Sequence, residues 1–542
     1  MPRPGTFRGV LVPLLIAWAL LAAVELGAGA LAAATFEVDM LHLMEAAMRG
    51  LEGQRPHVDY ITPMGDLFLA MLTAGREWFG LGLGASFAFG NVLAGAAVVP
   101  LAALAGAARL GKGPGLALGL FALLLAMALT PKLGASSESF AMAYNRWGWA
   151  LALPVMALML LPPQGPRAPG LRWAEGLAVG AAMGALFWIK ASFAAGLVPL
   201  WLAWVFAAAG GRAAAASALA GPLTALLVPA LVYADPAAPL TMIPAYVADL
   251  LGVAGSAYRP EQVLGLASIL SAPDRMLLSL GLLIGGMSLL RAGLRRHALL
   301  WAVGAAGMIG TAWQNHLSEL TGAFAFAAVL PAAAEAMRRQ APDALVLGLP
   351  APAALRVMAL CAAALGAQLS AYHFRSAFSG WHAAGMAETG TEATIRPLPG
   401  GPAGDIAFTR FAEGPTGTML VPPGPVDRLR GACKLVGGVP ETLEDLRAAV
   451  AARPDLQGRT MLGADIVNVA RLAAMAPAQT GVQIWMFDIH GDALDRADLL
   501  AVPVCPFDTA SRARALDEAE ARGLALTPVL ETPLWTLLAV SR

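Results

Sequence analysis

Charge is what this sequence has least of. Asp, Glu, Lys and Arg make up 13% of its 542 residues, against about 25% in an ordinary soluble domain. So few charges leave too little polar surface to coat a water-soluble particle of this length. An excess of one sign is missing too. The 36 basic and 36 acidic residues give a formal net charge of zero, which excludes a nucleic-acid binder that works through a general basic field. Lysine occurs only at Lys112, Lys132, Lys190 and Lys434, every other basic residue being arginine. Together with the abundance of Ala and Gly, this bias resembles that of a GC-rich bacterial genome. The seven histidines are scattered, and their spacing supports no His-rich metal centre. A P-loop, a Rossmann fingerprint and a nucleophile elbow are all lacking in context, which leaves nucleotide-driven transport and hydrolysis without support. There is no tandem repeat, low-complexity linker or heptad run.

Hydrophobic residues fill 58% of the chain, and mean hydropathy is +0.65. The fold class that follows is an α-helical polytopic membrane protein. Ala inflates hydropathy without adding much burial, so spans are placed by charge-free length as well as by score. The first run, 9–33, follows Arg3 and Arg8; small residues around Ala30–Ala33 mimic a signal-peptide cleavage site. The run is long for such a peptide and is read as a retained helix. Ten further spans are expected at 82–107, 114–130, 147–162, 174–189, 192–209, 214–233, 276–291, 298–315, 321–337 and 352–372.

Eleven spans put the two termini on opposite sides, and the distribution of basic residues orients them. With the amino terminus inside, the short inner loops carry Arg109 and Lys112, Arg167 and Arg172, Arg212, then Arg291, Arg295 and Arg296, and finally Arg338 and Arg339. The longer opposite loops are sparser in basic residues. Residues 62–79 are apolar enough to resemble another span, but Asp66, Arg76 and Glu77 argue for a helix lying along the outer membrane surface. Residues 1–372 thus read as a transmembrane domain whose first outer loop is 34–81.

Residues 373–542 read as a soluble α/β domain outside the cytoplasm. Strands are expected at 418–422, 481–487, 498–504 and 526–540, the last broken at Glu531–Pro533; helices are expected at 441–453 and 510–523. Cys433 and Cys505 both fall here, as a disulfide suited to an oxidising compartment or as two buried thiols.

Transporters and channels usually place polar groups mid-helix in several spans. Here the ionisable residues crowd at the outer face, which points to chemistry at the interface. In the first loop, Asp39, His42 and Glu45 fall on adjacent turns of an amphipathic helix ending near Gly50, and His57, Asp59 and Tyr60 follow in an extended stretch. A carboxylate at a water–lipid boundary can act as a general base; Asp39 is equally placed to be an ordinary helix N-terminal acid. Lys190, between two apolar runs, either snorkels or binds a phosphate. Glu138, Asn145 and Arg146 sit in a stretch whose Tyr144, Trp147 and Trp149 also suit interfacial anchoring. Gln314 and His316 offer weaker polar contacts at the end of the ninth span. Glu25, buried in the first span, is either protonated or paired with another span.

An Asp opening an amphipathic outer helix directly after the first span, then Gly53-Gln54-Arg55-Pro56-His57-Val58-Asp59-Tyr60-Ile61-Thr62-Pro63-Met64-Gly65, resembles the GT-C glycosyltransferases. The likeness is to bacterial relatives of protein O-mannosyltransferases and of the lipid A aminoarabinose transferase. It covers roughly the first 210 residues by motif and the rest by layout. The resemblance implies a bacterial inner-membrane enzyme taking a sugar from a polyprenyl-phosphate donor to a lipid, glycan or protein acceptor on the periplasmic face. It implies Asp39 as the base toward the acceptor, and no cofactor. Asp39, His42, His57 and Asp59 are chemically able to share a divalent cation, but the similar relatives do not require one. The chain departs from the family pattern at Met40, where many relatives carry a second acid, and at His42, where Tyr is frequent. Two other classes remain: a lipid-linked glycan transporter, which needs a continuous polar path that the clean inner halves of the spans do not offer, and an envelope assembly factor whose outer domain binds a partner.

Overall fold

Long runs without charge fold as helices, because only a helix satisfies every backbone group within one apolar segment. The computed structural model of the chain describes residues 4–29, 31–33, 37–127, 142–163, 168–254, 283–314, 330, 333–334, 343, 345–346, 349–376, 378, 392–394, 406–409, 427–431, 433, 439–474, 476–484 and 492–542. The chain opens with α1 (Pro4–Ala28), β1 (Leu31–Ala33), α2 (Glu37–Leu51), β2 (Tyr60–Ile61) and α3 (Asp66–Phe79). There follow α4 (Leu83–Ala105), which ends in one π-turn over Gly106–Leu110, then α5 (Lys112–Ala126), α6 (Ala143–Leu160), α7 (Pro169–Ile189), α8 (Ala191–Ala207), α9 (Gly211–Val232) and α10 (Ala238–Ala254). Further helices cover Arg295–Gln314 and Ala351–Ser376. Among the described residues, Thr6–Ala28, Leu83–Leu110 and Gly211–Val232 are long and apolar enough to cross a membrane.

Helix α3 has 14 residues, about 21 Å at 1.5 Å per residue, too short for a hydrocarbon core of about 30 Å. It buries Asp66, Phe68, Leu69 and Leu72 and leaves Trp78 and Phe79 exposed. Helix α10 falls where no span is expected from the sequence. Its apolar run is 17 residues long and interrupted by Pro244 and Asp249. Most of the expected span 321–337 and the first part of 276–291 lie outside the described residues, as does the expected strand 418–422.

Small side chains set one close helix pair. Gly176, Gly180 and Gly184 of α7 face Ala213, Ser217 and Gly221 of α9, and a Cβ on Gly180 would stand 2.5 Å from the Ser217 carbonyl oxygen. This is the small-xxx-small seam that brings membrane helices together in the absence of a hydrophobic drive. Buried polar pairs tie the other helices. Arg109 of the π-turn grips Glu175 of α7 through two hydrogen bonds, at 3.2 and 2.9 Å. Glu25 of α1 accepts a hydrogen bond from Asn91 Nδ2 of α4 at 3.4 Å, and Asn91 Oδ1 accepts one from Trp147 Nε1 of α6 at 3.0 Å. Glu25 is therefore paired with another helix.

Short strands β3 (Leu345–Val346) and β4 (Leu349–Pro350) pair with each other, and β5 (Glu392–Thr394) lies antiparallel to β6 (Ile406–Thr409). The last quarter of the chain holds β7 (Met461–Gly463), β8 (Val482–Gln483), β9 (Leu499–Pro503), β10 (Ala525–Glu531) and β11 (Trp535–Ser541). Four of them form a sheet in the order β10-β11-β9-β7, with β7 parallel to β9 and the other pairs antiparallel. The β10–β11 hairpin turns at Thr532–Leu534, where the break is expected. Helices Val439–Ala451 and Thr509–Ala521 accompany this sheet, and Leu462, Leu500, Val502, Leu516 and Leu538 share a core. Cys433 and Cys505 are joined as a disulfide with Cα atoms 4.8 Å apart, which decides between the two readings of the pair.

Two pairings join short strands before and within the first loop to distant segments of the chain. Strand β1 runs parallel to β6, Leu31 opposite Ile406, and β2 runs parallel to β8, Tyr60 opposite Val482.

Candidate functional site

Helix α2 forms because its apolar residues recur at helical spacing. Met40, Leu41, Leu43, Met44, Ala47 and Met48 are buried, while Asp39 in its first turn is half-buried. His42, Glu45 and Arg49 of α2 are engaged with the carboxy-terminal region. His42 places Nδ1 3.0 Å from the Ile484 carbonyl oxygen, and burial pushes its imidazole down to about 3, which keeps it neutral at pH 7. Glu45 is buried between two arginines. Arg49 Nε donates to Oε1 at 2.7 Å, and Arg471 Nη1 donates to Oε2 at 2.9 Å. Arg49 also donates to Gln54 and to the Gln479 carbonyl, both at 2.7 Å, and Arg471 reaches Glu52. Two acids and two guanidiniums thus lock α2 to residues 471–479.

The turn after α2 is closed by Asp59, whose carboxylate accepts from the Arg55 amide at 2.7 Å, while its carbonyl accepts from the Gly481 amide at 2.6 Å. His57 adopts a left-handed φ of 65°, uncommon for a residue with a side chain. That conformation turns its ring inward. Nδ1 lies 2.8 Å from Asp249 Oδ2 of α10, Nε2 lies 3.5 Å from Asp66 Oδ1, and the ring lies tilted against Tyr246 with centroids 4.3 Å apart. The Thr62 amide donates to the same Asp249 oxygen at 3.2 Å. Tyr60 is buried, with Arg49 over its ring at 5.5 Å.

Gly65 then brings the loop against the end of α7. A Cβ there would sit 2.1 Å from the Trp188 carbonyl oxygen, so only glycine permits the approach. Asp66, the next residue, is buried, and neither oxygen has a well-formed hydrogen bond. Burial pushes its carboxyl from 3.8 up to about 7; His57 and the nearby Tyr233 hydroxyl pull it down, and Asp249 pushes it up further. Asp66 belongs to the wall of a cavity of about 420 Å³ that also includes Arg55, Tyr60, Trp78, Leu231 and Tyr233.

Immediately after Trp188, α7 breaks. Lys190 is extended and half-buried, and α8 resumes at Ala191. Lys190 Nζ donates to Asn145 Oδ1 at 2.8 Å and stands 4.3 Å over the Tyr144 ring. Arg146, the next residue of α6, is buried within electrostatic reach of Glu25.

The residues proposed from sequence thus separate into groups. Asn145 and Lys190 meet, and Arg146 follows directly on α6. His57 meets Asp249 and Asp66, His42 faces Ile484, and Asp59 closes a turn. Gln314 ends the helix Arg295–Gln314; Glu138 and His316 lie outside the described residues. Among the described residues, the cavity beside Asp66 is lined by Tyr60 of that set, and its lining does not include Asp39, Lys190 or Arg146. No group of three His, Cys, Asp or Glu side chains there is placed to hold a metal ion. Sequence reasoning missed Asp66, used only as a charge against a span, and Asp249. The signal for Asp249 was available: it is the lone acid in the apolar run 238–254, a pattern that marks function or pairing.

Removing one partner of a buried ion network leaves a charge uncompensated, at a cost of about 3–5 kcal/mol. Glu45→Ala is therefore expected to lower the melting temperature in detergent and to speed hydrogen exchange in both α2 and residues 469–474; unchanged exchange in the latter would remove the coupling. Asp66 carries a pH signature. With a folded value raised from 3.8 to about 7, the folded chain holds this proton more tightly than the unfolded one across that window. Its contribution to stability is present at low pH and lost as pH rises toward 7. Asp465 is buried and also pushed up to about 7, so the comparison with Asp66→Asn isolates one of the two groups. The variant should show a shallower fall in melting temperature between pH 4 and 7 than the parent.

No family model matches the chain, and no curated protein matches it. Among solved structures, the chain is similar to ArnT from Cupriavidus metallidurans bound to undecaprenyl phosphate, with a TM-score of 0.45 and 13% identity over 97% of both chains. It is also similar to the apo state of that protein, with a TM-score of 0.41 and 12% identity over 98% of both chains.

Proposed function

We propose that the chain is an integral membrane glycosyltransferase of the GT-C type. It moves a sugar from a polyprenyl-phosphate donor to a lipid, glycan or protein acceptor at the periplasmic face of a bacterial inner membrane. The observation that carries this reading is the seat of Lys190. An ammonium is held by Asn145 Oδ1 and the Tyr144 ring at a helix break, beside the point where Gly65 docks the first loop. A positioned point charge at the end of apolar helices suits the phosphate of a lipid carrier. Arg146 behind it adds positive potential. In the eleven-span topology with the amino terminus inside, this junction and the carboxy-terminal α/β domain share the periplasmic side, and the Cys433–Cys505 disulfide suits that compartment.

In the proposed reaction the acceptor hydroxyl gives its proton to Asp39, and the acceptor oxygen bonds to the anomeric carbon. The bond from that carbon to the phosphate oxygen breaks, and its electron pair leaves with the polyprenyl phosphate beside Lys190.

Two variants test the two roles. Native mass spectrometry of the purified protein should show a co-purified polyprenyl phosphate that Lys190→Ala loses. Absence of such a lipid from a well-folded parent would remove the donor assignment. Asp39→Asn should lower transfer by about 10²–10⁴-fold with an unchanged thermal melt, and near-parental turnover would take the base role from Asp39.

A further inference from the structure

The cavity between α2, α3 and the carboxyl end of α9 has a buried carboxylate inside and apolar residues at its edge. Asp66 is 1% exposed, whereas Trp78 and Leu231 are 63% and 75% exposed. Neither Asp66 oxygen has a well-formed hydrogen bond. His57 Nε2 faces one oxygen from 3.5 Å and the Tyr233 hydroxyl lies nearby, while His57 Nδ1 is engaged with Asp249 at 2.8 Å, so the ring is held at that distance. A buried carboxylate short of donors is costly to keep, and a ligand that brings O–H groups relieves that cost.

The remaining lining narrows the ligand. Tyr60 and Tyr233 supply aromatic surface and phenolic oxygens, and Arg55 supplies fixed donors. Arg55 opposes a cationic headgroup, and Asp66 opposes a phosphate. Aromatic walls with a carboxylate and a guanidinium suit the mixed apolar and hydroxyl faces of a pyranose. The volume of about 420 Å³ lies within the range of small-ligand sites.

We propose that this cavity binds the sugar headgroup of an amphiphile, whose hydroxyls donate hydrogen bonds to Asp66 and whose chain leaves past Trp78 and Leu231. His57 and Asp249 act as positioning residues that fix the Asp66 carboxylate. The assignment of that amphiphile as a reactant rests on the glycosyltransferase reading; its binding does not require transfer to occur.

The test uses the full chain in phosphatidylglycerol nanodiscs, with decyl β-D-glucoside as probe below its micellar concentration and decyl phosphate and decylammonium as comparators. Native mass spectrometry counts bound molecules. One decyl glucoside should bind saturably. Asp66→Asn should weaken it at least tenfold, Ala70→Phe, which fills the cavity, should abolish it, and decyl phosphate should be retained by both variants. Non-saturable partition of the glucoside, equal affinity in parent and both variants, or preference for decylammonium would each overturn the proposal. Glucoside binding as expected, without any polyprenyl phosphate held through Lys190, leaves this site standing and removes the transferase reading.

Discussion

A buried carboxylate shared by two arginines underlies the architecture around the first loop. Glu45 lies at the centre, with Arg49 from its own helix on one side and Arg471 from the far end of the chain on the other. Charges taken out of water are tolerated only when fully compensated. Neither α2 nor the region around Arg471 is electrostatically complete alone. The β1–β6 and β2–β8 pairings add backbone hydrogen bonds to the same union. The inward turn of His57 and the approach of Gly65 to Trp188 follow directly on a loop held in this way.

The second polar cluster uses the same logic with a different outcome. His57 is bracketed by Asp249 and Asp66, but the two sides are not equal: one contact is 2.8 Å and the other 3.5 Å. The close side fixes the ring, and the open side leaves a carboxylate facing a cavity. Where both oxygens of Glu45 are paired with guanidiniums and serve architecture, both oxygens of Asp66 and the facing His57 Nε2 are left without a well-formed hydrogen bond. Such incompleteness in a buried polar network marks places where something else supplies the missing partner.

Local features of this fold were legible in the sequence, and long-range ones were not. Charge-free runs located α4 to α9, period 3.6 located α2, and the turn residues at Glu531–Pro533 located the hairpin of β10 and β11. Lys190 stood out because a lone charge between two apolar runs needs a reason. The engagement of His57 with Asp249 spans 192 residues, and that of Glu45 with Arg471 spans 426. No local pattern encodes such pairs, because the compensation that makes them stable exists only after burial. His42 and Asp59 carry contacts of the same long range: His42 Nδ1 lies 3.0 Å from the Ile484 carbonyl oxygen, and the Asp59 carbonyl accepts from the Gly481 amide.

The parallel pairing of β1 and β2 with β6 and β8 has a temporal side. A chain is made from its amino end, so the first loop leaves the ribosome long before its partner strands exist. Parallel pairs between distant segments are slow to form, since their loop entropy is lost before the contacts reward it. Until residues 406–409 and 482–484 arrive, both short strands have exposed edges and Glu45 has only one of its two arginines. The wall of the pocket beside Asp66 is made early, its lining ending at Tyr233, yet the loop that forms part of it gains its second arginine and its partner strand only from residues made much later.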